Sequence, residues 1–341
     1  MLNIAVALLP VVAFLAALLL MDSFKLMSWR AVLLALCAGA LAAFCASALN
    51  ADLADRFRLP LFVLSRYVAP ATEEGLKALY VLYLIRRGRI GFLVDAAILG
   101  FAVGTAFALV ENLEYLRALP ERGLLLWAVR GFGTAILHGG TTASLAILTK
   151  ALHDHWAGQA KRHFDFVPGL LLAFGLHLFF NLAVLPPVAA TLLLLAGLPL
   201  VMLVVFARSE GATRSWLGVG LDTDLELLEA IRTGSVLSTR AGAYLESLRA
   251  RFPGPVVADM LCLLRIQLEL GIRAKGLLLA REVGLEAPVG EDVRANLREL
   301  RYLEAAIGRT GLLTLKPILR RSSRDLWQIY LLEKAGGGIA A

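Results

Sequence analysis

Charge is scarce in this chain: Asp, Glu, Lys and Arg make up 18% of its 341 residues, against 59% apolar ones. Soluble globular domains carry about 25% charged residues, so an ordinary water-soluble fold is excluded and an integral membrane protein is expected. Cysteine is scarcer. The 3 cysteines, Cys37, Cys45 and Cys262, form no CxxC pair and no even framework, which argues against disulfides and structural zinc. No basic residue precedes the apolar run from Met1 to Met21, and no small-x-small cleavage site closes it before Asp22. That run is read as a retained first span, not a removable signal peptide. There is no HExxH, no repeat of solenoid period and none of the two-fold repetition common among transporters. Gly218-Val-Gly220 is not followed by a strand-turn-helix pattern, so nucleotide binding finds no support. The net charge of +7 does not indicate nucleic acid either. Basic residues fall in short loops of the first part and alternate with acids in the second.

What is present is a series of apolar runs long enough to cross about 30 Å of hydrocarbon. They lie near residues 2–21, 31–49, 60–85, 92–116, 124–149, 166–185 and 187–207, so about seven spans are expected. Residues 1–207 hold 15 Lys/Arg and 11 Asp/Glu, whereas the shorter stretch 208–341 holds 19 and 16. The expected fold is all-α: a polytopic transmembrane domain, 1–207, followed by a small soluble helical domain, 208–341. Lys25, Arg30, Arg86, Arg87, Arg89, Lys150, Lys161, Arg162, Arg208 and Arg214 fall on one side of the membrane. The positive-inside rule then puts the N-terminus outside and residues 208–341 in the cytoplasm. The third run, near 60–85, would reach about 39 Å as one helix, longer than a straight crossing needs. A break near Pro70 is expected, freeing backbone groups just ahead of Glu73.

Pro70-Ala-Thr-Glu73-Glu74-Gly-Leu-Lys77 puts two carboxylates and an ammonium inside a span. Each costs roughly 2.5–3.5 kcal/mol near the bilayer centre, so idle retention is disfavoured. Glu73 and Lys77 share a helical face and can pair, leaving Glu74 in need of another partner or a proton. Glu111 and Asn112 interrupt the fourth run, His138 the fifth and His177 the sixth. Polar groups spread over four helices suggest convergence on one site in the bundle interior. His177 and Asn181 share a face, where the amide could orient the imidazole or a substrate carbonyl. Phe107, one turn before Glu111, is expected to pack beside it.

EExxK at Glu73–Lys77, FxxxEN at Phe107–Asn112, the intramembrane His138 preceded by Arg130, and HxxxN at His177–Asn181 together resemble the PrsW-like glutamic intramembrane proteases. These are relatives of the CAAX prenyl proteases in the CPBP superfamily, and the resemblance covers about residues 60–185. Prenyl proteases carry EExxxR and FxxxH, whereas Lys77 and Glu111 stand at those kinds of position here, which favours the PrsW-like branch and weakens a prenylated-cysteine substrate. The resemblance implies peptide hydrolysis in a bacterial cytoplasmic membrane, within regulated proteolysis. It also implies a membrane-protein substrate, in some relatives an anti-sigma factor, first cut outside the cytoplasm.

Peptide hydrolysis without a serine or cysteine nucleophile needs an activated water, an oxyanion stabiliser and a proton for the leaving amine. The expected catalytic set is Glu73 as general base, Glu74 to position or share its proton, Glu111 to orient one imidazole, and His138 or His177 with Asn181 for the carbonyl. Lys77, Phe107, Asn112 and Arg130 support it. The division of labour between the two histidines stays open. No cofactor is expected, with zinc held by Glu73, Glu111, His138 and His177 as the minority alternative. A purely structural reading makes Glu73–Lys77 a buried ion pair and the histidines interhelical hydrogen bonders. The functional rival is a transporter or signalling scaffold whose C-terminal domain binds a cytoplasmic partner. Beyond those partners only the lipid bilayer is expected.

Overall fold

A computed structural model describes residues 1–22, 27–119, 121–157, 159–285, 290–319 and 323–335, and every regular element among them is helical. In order they are α1 (Leu2–Leu20), α2 (Trp29–Phe57), α3 (Leu61–Val63), a π-helical turn (Leu64–Val68), α4 (Ala69–Arg86), α5 (Leu93–Ala118), α6 (Leu124–Ala128), a second π-helical turn (Val129–Thr134), α7 (Ala135–His155) and a 3-10 turn (Ala160–Phe164). Then follow α8 (Val167–Asn181), α9 (Pro187–Arg232), α10 (Arg240–Leu248), α11 (Gly254–Glu282), α12 (Glu291–Thr314) and α13 (Ser323–Ala335), with a short 3-10 turn (Ser235–Ser238) before α10. The chain divides into two compact units, Met1–Ser209 and Glu210–Ala341.

Among the described residues five segments are long and apolar enough to cross a membrane: Leu2–Leu20, Trp29–Phe57, Leu93–Ala118, Lys161–Asn181 and Pro187–Arg232. In α5 83% of the apolar window is buried, against 22% or 33% in the other four. So α5 is the axis, and the others turn most of their surface outward, as lipid-facing helices do. Helices α4 and α7 are less apolar because they carry Glu73, Glu74 and Lys77, and His138, Thr141 and Thr142, all of them buried. Their polar faces are hidden inside the bundle, which is what makes them tolerable at membrane depth.

Small residues set how closely these helices approach. A Cβ on Gly104 of α5 would stand 2.1 Å from the His138 carbonyl oxygen of α7. Only a glycine lets α5 lie against α7 just where the site histidine emerges. In α1, Pro10 has no N–H to give the Val6 carbonyl. Gly131 of the second π turn packs onto that carbonyl, where a Cβ would come within 1.9 Å of the oxygen.

The irregularity expected near Pro70 is a π-helical turn, in which the Ala69 N–H reaches back five residues to the Leu64 carbonyl. The extra residue per turn is accommodated immediately before the proline, so α4 restarts cleanly and carries Glu73 and Glu74 inward. The amphipathic segment expected at 222–232 is the end of α9, continuous from Pro187. In the second unit Leu245, Leu248, Met260, Leu263, Leu297, Leu300 and Leu303 are buried. There Thr239 caps α10 by accepting from the Gly242 N–H, and Gly308 breaks α12 at φ 71°.

Gly104→Ala is expected to lower stability by about 1–3 kcal/mol through overpacking against the α7 backbone. A thermal melt of the detergent-purified protein should show a clear drop, and an unchanged melt would contradict the close approach.

Candidate functional site

Lys77 is fully buried on α4, and its ammonium donates to Glu74 Oε1 at 2.6 Å and to His138 Nδ1 at 3.0 Å. It also stands over the Phe107 ring, 4.7 Å from the centroid. An ammonium has donors and no acceptor, so the contact assigns the lone pair of His138 to Nδ1 and its proton to Nε2. That Nε2–H donates to Glu111 Oε2 at 2.9 Å.

Glu74 Oε1 gathers two more donors, Thr141 Oγ1 at 3.2 Å and His177 Nδ1 at 2.8 Å. A carboxylate only accepts, so the His177 proton sits on Nδ1. The Nε2 lone pair then faces Glu73 Oε2 at 3.9 Å. The two imidazoles meet edge to face with centroids 4.9 Å apart. Glu73 Oε2 and Glu74 Oε2 are buried with no hydrogen-bond partner among the described residues.

Beyond Glu111 the network continues outward. Arg130 Nη2 lies 3.2 Å from Glu111 Oε2, at ion-pair distance but without the angle of a hydrogen bond. Arg130 Nε donates to Asn112 Oδ1 at 2.9 Å, and Asn112 Nδ2 donates to the Ala7 carbonyl at 2.7 Å, one residue past the carbonyl that Pro10 leaves free. The guanidinium stacks over Tyr115 at 3.6 Å. One chain of polar contacts therefore runs from α1 through α5, the second π turn, α7 and α4 to α8.

Glu73, Glu74, Lys77, Phe107, Glu111, Asn112, Arg130, His138 and His177 all belong to this cluster. Two expectations are corrected. The ion pair of Lys77 is with Glu74, not Glu73, because His138 and Thr141 lie on the Glu74 side and complete its shell; Glu73 is left facing His177. Asn181 does not orient His177. Its amide donates to the Ser65 carbonyl in the first π turn at 3.1 Å.

The sequence reading missed Thr141 and Tyr115, although each lies one turn beyond a residue it did choose, His138 and Glu111. It also missed a clamp at the far ends of the same helices. Arg86 at the end of α4 makes two bonds to Asp165, at 2.6 and 3.0 Å, and His153 of α7 donates from Nδ1 to Asp165 at 2.6 Å while Arg162 contacts its Nε2. Burial holds the His153 imidazole below the usual histidine range, with Arg162 and Arg86 pushing the same way against Asp165.

Residues 27–208, more than half of the chain, match the profile of a family described as PrsW family intramembrane metalloprotease. The chain belongs to the PrsW family of intramembrane proteases. No curated protein and no solved structure matches it. The family description implies a metal, and this PrsW-family site can be tested for one. Glu73, His138 and His177 offer a carboxylate oxygen and two imidazole nitrogens within 4.8 Å of one another. Two histidines and a carboxylate are a donor set used by catalytic zinc. The remaining ring nitrogens rest on Glu74 and Glu111, the outer support that ligating histidines usually have. Glu73 Oε2 and His177 Nε2 are ready donors, and His138 Nδ1 is currently shared with Lys77. In donor chemistry the residues fit a divalent cation.

Lys77→Met leaves Glu74 buried without its cation and is expected to cost about 3–5 kcal/mol of stability. Adding Glu74→Gln should recover much of that loss in the same thermal melt, because the uncompensated charge is then gone.

Proposed function

We propose that this PrsW-family protein hydrolyses a peptide bond in a membrane-embedded or membrane-proximal segment of another membrane protein, using a water activated by Glu73. The observation that carries the reading is the 3.9 Å gap between Glu73 Oε2 and His177 Nε2. Both groups are buried, both accept, and one water can donate a hydrogen bond of about 2.8 Å to each.

In that position Glu73 takes one proton as the water oxygen attacks the scissile carbonyl, and His177 Nε2 aligns the water by accepting its other hydrogen. The carbonyl electron pair moves to oxygen, where the buried charges of Lys77 and Arg130 stabilise it. Arg130 Nη2 has no hydrogen-bond acceptor of its own among the described residues. Glu73 then returns the proton to the amine as the C–N bond breaks. Glu74 holds His177 in the required tautomer and Glu111 does the same for His138.

A second reading is favoured by the Glu73–His138–His177 grouping. A cation bound there would supply Lewis acidity, making water more acidic and the carbonyl more electrophilic. The basic loops support a cytoplasmic placement of residues 208–341, where a cytoplasmic partner could bind. The resemblance in the motifs favours a signalling substrate of the anti-sigma-factor kind.

Glu73→Gln is expected to lower cleavage of a quenched fluorogenic transmembrane peptide by about 10²–10⁴-fold with normal membrane insertion. Retained cleavage removes Glu73 as the base. Cleavage that survives 1,10-phenanthroline, with no zinc in the purified protein, supports the glutamate mechanism. Loss on chelation with recovery on adding zinc selects the cation reading.

A further inference from the structure

We infer that Asn181 is a positioning residue that fixes α8 against α4 and so sets the gap between His177 and Glu73. This rests on the reading of that gap as the place where water is activated. In the first π turn the bonding runs from residue i+5 back to residue i, as Ala69 to Leu64 shows. The next acceptor in that series is the Ser65 carbonyl, and its partner would be the N–H of residue 70. Residue 70 is proline and has none. The Ser65 carbonyl thus has no backbone donor in its own helix, and a backbone acceptor left without a partner is costly. The Asn181 amide fills the vacancy from another helix, at 3.1 Å.

The placement gives the bond a second consequence. Asn181 is one turn beyond His177 on α8, and the π turn ends one residue before α4, which carries Glu73 and Glu74. At their other ends the same two helices are joined by the bidentate contact of Arg86 with Asp165, immediately ahead of α8. Glu73, Glu74 and His177 therefore lie between two fixed points. Without the Asn181 bond, α8 is left with the His177–Glu74 contact at its site end, and rotation about Arg86–Asp165 moves that end most. Misplacement of reacting groups by about 1 Å can cost 10²-fold in rate.

Two acceptor-only or donorless variants, Asn181→Asp and Asn181→Ala, test this, with Pro70→Ala as the rescue because it restores an N–H that can reach the Ser65 carbonyl. The first readout needs no catalysis. Glu73→Cys and His177→Cys are introduced together in a background with Cys37, Cys45 and Cys262 replaced by alanine, and their linkage by a short bifunctional methanethiosulfonate is timed. Asn181→Asp and Asn181→Ala are expected to slow linkage at least fivefold, and Pro70→Ala to restore it.

In the enzyme with Glu73 and His177 intact, both variants should lower kcat on the fluorogenic transmembrane peptide by about 10–100-fold with KM little changed. Pro70→Ala alone should stay near the parent, and the double variants should regain at least tenfold. Unchanged linkage, or linkage and kcat that Pro70→Ala fails to rescue, overturns the inference, the latter pointing to direct contact of Asn181 with substrate. If Asn181→Ala fails to accumulate in membranes, recovery of accumulation by Pro70→Ala supports the bond and its failure overturns it. If the parent enzyme does not cut the peptide, hydrolysis at this gap fails while the linkage assay still decides the role of Asn181.

Discussion

The ammonium of Lys77 is the interaction on which the site depends. Buried beside Glu74 and His138, it makes a carboxylate tolerable at membrane depth and assigns the proton of His138 to the nitrogen that faces Glu111. Glu74, neutralised by Lys77, can in turn hold the Nδ1–H of His177. Both imidazoles thus receive their orientation from one cation. Among the described residues Glu73 makes no side-chain hydrogen bond that fixes it, and its Oε2 stands 3.9 Å from the Nε2 of His177. Glu74 and His138 are held on several sides, and Glu73 is left facing a ring nitrogen across 3.9 Å.

The helices that bring these groups together rely on interruptions. Pro10 frees a carbonyl that lets Gly131 and Arg130 come close to α1, and the π turn before Pro70 resets the face that α4 presents. Glycine at 104 draws α5 onto α7 beside His138. Each departure from regular helix is compensated by a contact from a neighbouring helix, which is the condition for irregular backbone inside a bilayer.

Much of this was legible from residue type alone. Charged and imidazole groups inside apolar runs announce a site because lipid would not tolerate them singly, and nine of the ten residues singled out do meet. The pairing of Lys77 was not legible. On a helix an ammonium reaches both i−3 and i−4, so Glu73 and Glu74 are equivalent until Thr141 and the two histidines arrive from other helices and take the Glu74 side. The contact of Asn181 was hidden for a similar reason: its acceptor is a backbone carbonyl freed by a proline 111 positions earlier, and HxxxN spacing directs attention to the imidazole instead. Tertiary partners, not local periodicity, decided both.

Helix α1 has 19 residues, about 28 Å of rise, close to the thickness of a bilayer core. It is also linked to the buried carboxylate cluster, since its Ala7 carbonyl holds Asn112, which holds Arg130, which faces Glu111. A thicker or thinner lipid environment changes the inclination of such a helix. A change in that inclination is passed along this chain of contacts to Arg130 and Glu111, so the first helix of the first unit and that unit's buried polar cluster answer to one and the same bilayer thickness.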